Sequence, residues 1–195
     1  MTLIAQITDI HLRGDGADPC HNPAEVLDQA FATIAAMDRR PDAIVLTGDI
    51  IDRSAADYGH VLPLLRAAPV PLFPLPGNHD RAPAFRAAFA DWVAFHPDHL
   101  SFVQPVGDAL LVGLDSNLSD GRGGVDAARL DWLASVLGHA SRPVILGLHH
   151  PPFPTFAPHL DRAAFVGAAQ LAELVSGSPV RRIIAGHSHR GMPTL

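Results

Sequence analysis

Apolar residues along this chain gather into short runs that break on polar residues, and the runs alternate with stretches of helical spacing. Ile4–Thr8, Ala43–Thr47, Pro71–Leu75, Val144–Leu148 and Val180–Ala185 are rich in Val, Ile and Leu and predict buried strands. Phe102-Val103 and Ala109–Leu114 predict the strands of a meander. A helix opens at Asn22 or Pro23, carries Val26, Ala30, Ile34 and Met37 at helical spacing, and is stopped by Pro41. Further helices are predicted over Ala55–Ala67, over Ala82–Phe95 with Phe85, Phe89 and Trp92 on one face, over Asp126–His139 with Leu130, Leu133 and Leu137 aligned, and over Arg162–Ser176. Residues 12–22, rich in Gly, Asp and Pro, read as a loop. The alternation argues for an α/β fold with a largely parallel sheet.

Composition narrows the class. The 195 residues fit one domain, spanning 1–195, and 48% apolar against 17% charged residues argues for a packed core. A formal net charge of −6 disfavours a long nucleic-acid partner, which would be held by clustered Lys and Arg, but not a small anion bound through metal ions. Cys20 is the only cysteine, so no intrachain disulfide forms and a reducing compartment is the simpler reading. No run approaches the ~20 apolar residues that cross a bilayer, and Met1–Gln6 lacks a basic segment followed by a long apolar one. No membrane association and a cytoplasmic location are expected. After His189, Gly191-Met192-Pro193-Thr194 reads as a turn toward a strand that does not follow.

The chemistry lies where the strands end. Five runs lead into Asp9-Ile10-His11, Gly48-Asp49, Gly77-Asn78-His79-Asp80, His149-His150 and Gly186-His187-Ser188-His189. Sites in α/β proteins form in loops beyond the carboxyl ends of strands, and all five loops carry oxygen or nitrogen ligands, which suggests one polynuclear metal site. Asp9 and His11, like His187 and His189, are two apart, so in an extended segment both side chains of each pair face one side. Asp49 offers a carboxylate able to bridge two cations, Asn78 a neutral carbonyl oxygen, His149 another imidazole. Glycines before Asp49, Asn78 and His187 permit tight turns and close backbone approach. Two divalent cations against two carboxylates leave a positive pocket suited to phosphate, and cations about 3.5–4 Å apart can clamp phosphate oxygens. Mixed imidazole and carboxylate ligands favour Mn, Fe, Zn or Co over Mg or Ca. With no cysteine in the set, a structural zinc site is disfavoured.

The five blocks, in this order, resemble the calcineurin-like metallophosphoesterases, and the resemblance runs from residue 3 to 190. Within that family His149-His150-Pro151-Pro152, Leu114-Asp115-Ser116 and Leu130-Asp131-Trp132-Leu133 look most like the class III cyclic-nucleotide phosphodiesterases and the related glycerophosphodiesterases. The resemblance implies an α-β-β-α sandwich of two mixed sheets flanked by helices, with C-terminal strands that this chain lacks. It implies two divalent metal ions, one on Asp9, His11, His189 and bridging Asp49, the other on Asn78, His149, His187 and Asp49. His79 would not be a ligand; it would hydrogen-bond the phosphate or protonate the leaving alkoxide, and Asp80 would orient its loop or ring. The implied reaction is in-line attack of metal-bound hydroxide on a small phosphodiester, a cyclic nucleotide or glycerophosphodiester, with His79 and Asp49 as the catalytic residues.

Alternatives stand beside this reading. Gly48-Asp49-Ile50-Ile51-Asp52-Arg53 also resembles the protein Ser/Thr phosphatase pattern, but Ser54 replaces its Gly and Asp80 its Glu. A phosphomonoesterase, or a scaffold of the same fold without turnover, is the remaining competitor. Taken singly, Asp9, Asp49 and Asn78 are ordinary turn residues and His149 an ordinary core histidine. His150 reads equally as a substrate contact and as packing. Asp52, Asp115 and Ser116 read as turn residues, and Arg13 as exposed. Cys20 reads as inert, and His21 and Asn22 as loop residues. Phe153, Phe156 and Pro158 could wall an apolar pocket. His60, His96, His99, His139 and His159 carry no ligand spacing and read as surface. Absent C-terminal strands would leave a sheet edge open, which allows a homo-oligomer by edge pairing.

Overall fold

The computed structural model describes residues 1–13, 22–53, 58–157 and 163–190. Seven strands among them form two sheets. The first contains β1 (Ile4–Ile7), β2 (Ala43–Thr47) and β3 (Leu72–Leu75), all parallel, with Ile4 opposite Ala43 and Ile44 opposite Leu72. The second contains β4 (Phe102–Val106), β5 (Ala109–Gly113), β6 (Val144–Gly147) and β7 (Val180–Ile184) in that order. Antiparallel pairing is confined to β4 and β5; β5, β6 and β7 run parallel.

Three apolar clusters show how the layers stack. All five residues of β2 are buried because both faces of its sheet are covered. Ala43 and Val45 meet Phe102, Val106 and Leu111 of the other sheet, while Ile44 and Leu46 face the helices, as the two-residue period of a strand requires. Those helices are α1 (Pro23–Ala35), α2 (Leu62–Leu65) and α3 (Ala82–Phe89). The outer face of the second sheet, with Val112, Leu146 and Leu148, packs on Leu133 and Leu137 of α4 (Ala127–His139) and Leu171 of α5 (Ala168–Val175). Helix, sheet, sheet, helix is the order of layers.

The helices depart from the expected pattern in four places. Asn22 caps α1, accepting the backbone N–H of Ala24 at 3.2 Å, but its buried face is Leu27, Phe31 and Ile34. Val26 and Met37 are 56% and 44% exposed, so the apolar stripe is rotated from the one expected. The helix expected over 55–67 is a single turn at Leu62–Leu65, since Pro63 lacks an N–H and is tolerated only in a first turn. Its expected start, with Ala55, lies outside the described residues. Helix α3 ends at Phe89 because the chain folds back: the Arg86 guanidinium donates to the carbonyls of His96, Pro97 and His99. Trp92 and Phe95 then pack edge-on against Phe89 and at a tilt against Phe85. Helix α5 begins at Ala168, after Gly167 turns the backbone left-handed (φ 77°) and after Val166 has exchanged hydrogen bonds with Gly123 and Val125.

Candidate metal centre

The carboxyl ends of β1, β2, β3, β6 and β7 converge, and short backbone bonds carry the strand ladders into the loops beyond. Asp9 N–H donates to Gly48 O and His11 N–H to Asp49 O, each at 3.0 Å, and Gly186 N–H donates to His149 O at 3.0 Å. Asp9, His11, Asp49, His187 and His189 all have φ between 46° and 69°, and Phe156 is the one other non-glycine residue with positive φ among those described. Left-handed backbone costs a residue with a Cβ about 1–3 kcal/mol and gathers where side chains must be aimed. Gly48 (φ 99°) is required for the same reason: a Cβ there would fall 2.5 Å from His149 Nδ1. A Cβ at Gly77 would strike the Asp49 carboxylate.

All seven expected ligands come together. Asp49 is 2% exposed, and its Oδ2 lies 3.5 Å from His149 Nε2, 3.7 Å from His11 Nε2 and 3.9 Å from His79 Nε2. To one side, His189 Nε2 is 3.4 Å from Asp9 Oδ1 and 3.2 Å from His11 Nε2. To the other, His149 Nε2 is 3.0 Å from Asn78 Oδ1 and 3.2 Å from His187 Nδ1. Asp9, His11 and His189 form one set of mutually close donors; Asp9, Asp49 and His149 form another that joins the two sides.

The donor chemistry fits cations. His149 Nδ1 donates to the Thr47 carbonyl at 2.8 Å, which leaves a lone pair on Nε2 facing the oxygens of Asn78 and Asp49. Acceptors facing acceptors without a proton between them are stabilised by a positive ion. Burial pushes His11 and His187 below the usual imidazole range and favours the neutral, ligating form. Supporting groups hold the carboxylates. The Thr8 hydroxyl donates to Asp9 Oδ2 at 2.6 Å, His187 N–H donates to the same oxygen at 2.9 Å, and His79 N–H donates to Asp49 Oδ1 at 2.8 Å.

Several neighbouring residues take roles the sequence left open. Asp80 orients its loop rather than a ring. Its buried carboxylate accepts from the Tyr58 hydroxyl at 2.6 Å and from the backbone N–H groups of Gly77, Ile50 and Ile51 at 2.8, 3.2 and 3.3 Å. No local signal in the sequence marks Tyr58 or Thr8, whose contacts are set by the fold, beyond Tyr58 being the sole tyrosine. Asp115 accepts from Leu100 N–H and from Arg129, which pins the loop after β5. Arg13 pairs with Asp52 at 2.9 Å. His150, expected as contact or packing, is 9% exposed, hydrogen-bonded to Ser116, and pushed down to about 3 by burial and its histidine neighbours.

Two expectations are corrected. His99 is not a surface residue: it is 4% exposed and stacks on His96 with ring centroids 4.0 Å apart, because the Arg86 fold-back tucks it under Trp132. Phe156 is 88% exposed and does not wall a pocket; Phe165 takes that place beside Phe153. They line a cavity of about 410 Å³ together with Asn78, His150, His187 and the exposed Arg53 and Arg122. Pro158, His159, Cys20, His21 and the turn at 191–194 lie outside the described residues. Among those described, no helix is long and apolar enough to cross a membrane.

Comparison with known proteins places this geometry. The model of a family described as calcineurin-like phosphoesterase matches residues 2–191. The chain is 29% identical to a probable glycerophosphodiester phosphodiesterase of Arcobacter nitrofigilis, over 99% of this chain and 74% of that protein. It is 32% identical to the 3',5'-cyclic adenosine monophosphate phosphodiesterase of Escherichia coli K12, over 96% of this chain and 69% of that one. In three dimensions it resembles a dimetal phosphatase from Danio rerio, with a TM-score of 0.72 at 19% identity, covering 96% of this chain and 82% of that one. The last likeness is one of fold.

Proposed function

The chain belongs to the calcineurin-like phosphoesterase family, and we propose that it hydrolyses small phosphodiesters of the cyclic-nucleotide or glycerophosphodiester type with two divalent metal ions. The observation that supports this best is Asp49: one buried carboxylate oxygen lies 3.5–3.9 Å from three imidazoles delivered by three separate loops. Its two flanks carry complementary donor sets. Asp9, His11 and His189 with Asp49 would hold one ion, and Asn78, His149 and His187 with Asp49 the other. Mn, Fe, Zn and Co suit these ligands. When bound, the pair would neutralise phosphoryl oxygens and acidify an attacking water.

The chain's own residues supply the remaining steps. His79 stands over Asp49, held by its backbone N–H on Asp49 Oδ1, and its side chain is part-exposed toward solvent. A diester leaves as a strongly basic alkoxide, so the step most in need of a proton is departure, and His79 is the group placed to give it. Its edge-on contact with His11, centroids 4.6 Å apart, limits the ring's swing. The cavity lined by Phe153 and Phe165 accepts the ester substituent, with Arg53 beside it for a second anionic or polar group, while Arg122 is paired with Asp120.

The test is hydrolysis of bis-p-nitrophenyl phosphate, cyclic AMP, glycerophosphoethanolamine and p-nitrophenyl phosphate with added Mn. Diesters should turn over faster than the monoester, and Asp49→Ala should abolish both turnover and metal binding. A folded, metal-loaded protein inert toward every diester would refute the reading.

A further inference from the structure

His149 and His150 are adjacent in sequence, yet hydrogen bonding holds them in opposite tautomers. The Thr47 carbonyl can only accept, so His149 carries its proton on Nδ1 and presents Nε2 as a lone pair. At His150 the arrangement reverses. The Ser116 hydroxyl oxygen accepts the backbone N–H of His150 at 3.1 Å and lies 3.0 Å from His150 Nδ1. Ser116 is fully buried, and Nδ1 is the acceptor offered to its proton among the described residues. A proton on Nδ1 would leave that buried hydroxyl hydrogen without a partner, a costly state. The hydroxyl therefore donates to Nδ1, and His150 carries its own proton on Nε2.

That assignment separates His150 from the ligands it neighbours. His149, His150 and His187 have nitrogen atoms within 4.8 Å of one another and could be read as a cation site. The lone pair of His150 is already taken by Ser116, so it offers an ion no second one. What it offers is an N–H donor on a ring that lines the cavity beside Asn78 and His187. The ring occupies space that only glycine leaves open at position 123, where a Cβ would fall 2.5 Å from its carbons.

We propose that His150 is a substrate-binding residue whose neutral Nε2–H donates to a phosphoryl oxygen of the diester, and that Ser116 is the positioning residue that fixes its tautomer. The proposal rests on the diesterase reading above for the identity of the substrate, and on hydrogen-bond geometry for the role.

Long-range 1H–15N correlation spectra of the Zn-loaded protein test the tautomer directly, with His150 assigned by its loss in His150→Gln. His150 should show the Nε2–H form and His149 the Nδ1–H form, and Ser116→Ala should turn His150 into a mixture. An Nδ1–H form at His150 in the unaltered protein overturns the proposal. Calorimetric binding of inorganic phosphate to the Zn-loaded protein tests the contact. His150→Phe should weaken it about tenfold or more, while His150→Gln, which returns an N–H near the same place, should stay within about threefold of the parent. Both variants should keep the parent's metal content. Equal phosphate affinity of His150→Phe and the parent overturns the proposal as well. Should the parent hydrolyse no diester while the tautomer and phosphate results come out as expected, the diesterase reading fails and the phosphate contact stands.

Discussion

The Tyr58 hydroxyl donates to Asp80 Oδ1 at 2.6 Å beneath the candidate metal centre. The same carboxylate gathers the backbone N–H groups of Ile50, Ile51 and Gly77, so it ties the Asp49 loop to the Asn78–His79 loop. Burial pushes Asp80 up to about 6 despite these donors. Asp80→Asn swaps one acceptor oxygen for a donating amide against four donors and should destabilise the fold by roughly 2–4 kcal/mol. Tyr58→Phe removes one donor and should cost about 1 kcal/mol. Urea denaturation at neutral pH reads both; equal stability of Asp80→Asn and the parent would show that the latch carries no weight.

His79 is predicted to matter in proportion to the basicity of the leaving group. His79→Ala should slow hydrolysis of an alkyl diester by about 10²–10⁴ and bis-p-nitrophenyl phosphate far less, because p-nitrophenolate departs without a proton. Metal content should not change. A uniform loss across leaving groups would point instead to misplaced Asp49.

Removing metal should leave Asp9 and His11 each crowded against His189, and Asn78 and His187 each against His149, at 3.0–3.4 Å without a counter-charge. Dialysis against a chelator should lower the melting temperature, and Mn should restore it. With free Mn a hundredfold above its dissociation constant the difference is about 3 kcal/mol. A chelated protein that melts where the Mn-loaded one does would contradict a bound ion.

Acid stability should depend on His99. Burial, with the charges of His96 and Arg129, pulls it down to about 4, while an unfolded histidine titrates near about 6.5. Between those values the unfolded chain takes up a proton that the folded one refuses, so stability falls as pH drops through this window. His99→Phe keeps a flat ring against His96 and abolishes that uptake. Melting of the metal-free proteins should therefore decline less steeply from pH 6.5 to 4 in the variant. Parallel declines would show that His99 is not responsible.

The strands and the loops that converge at the candidate centre are legible because each depends on local signals: an apolar run, then a turn with the right side chains. Asp49, Asn78 and His149 declared themselves by following glycine or closing a β-branched run. What stayed hidden depends on distant partners. Nothing near His99 foretells that Arg86 will fold its segment back over α3. Nothing near Ser116 foretells His150, thirty-four residues on. The stripe on α1 is ambiguous in the sequence because Val26, Ala30 and Met37 compete with Leu27 and Phe31, Ile34 being common to both, and the sheet takes the bulkier set. Helix lengths were overdrawn where Pro63 and Gly167 set the starts.

Five of the seven candidate ligands hold their backbone in the mirror-hand bend that glycine favours. Asp9 and Asp49 return something to the fold by accepting backbone N–H groups of other loops, but His11 and His189 reach only other residues of the site. Glycine at position 11 or 189 would relieve the contortion while emptying that flank, so a dead variant, stripped of metal, should outlast its stripped parent on heating. Durability and turnover are set against each other at the α-carbons of His11 and His189, and selection for robustness alone would erode the centre there first.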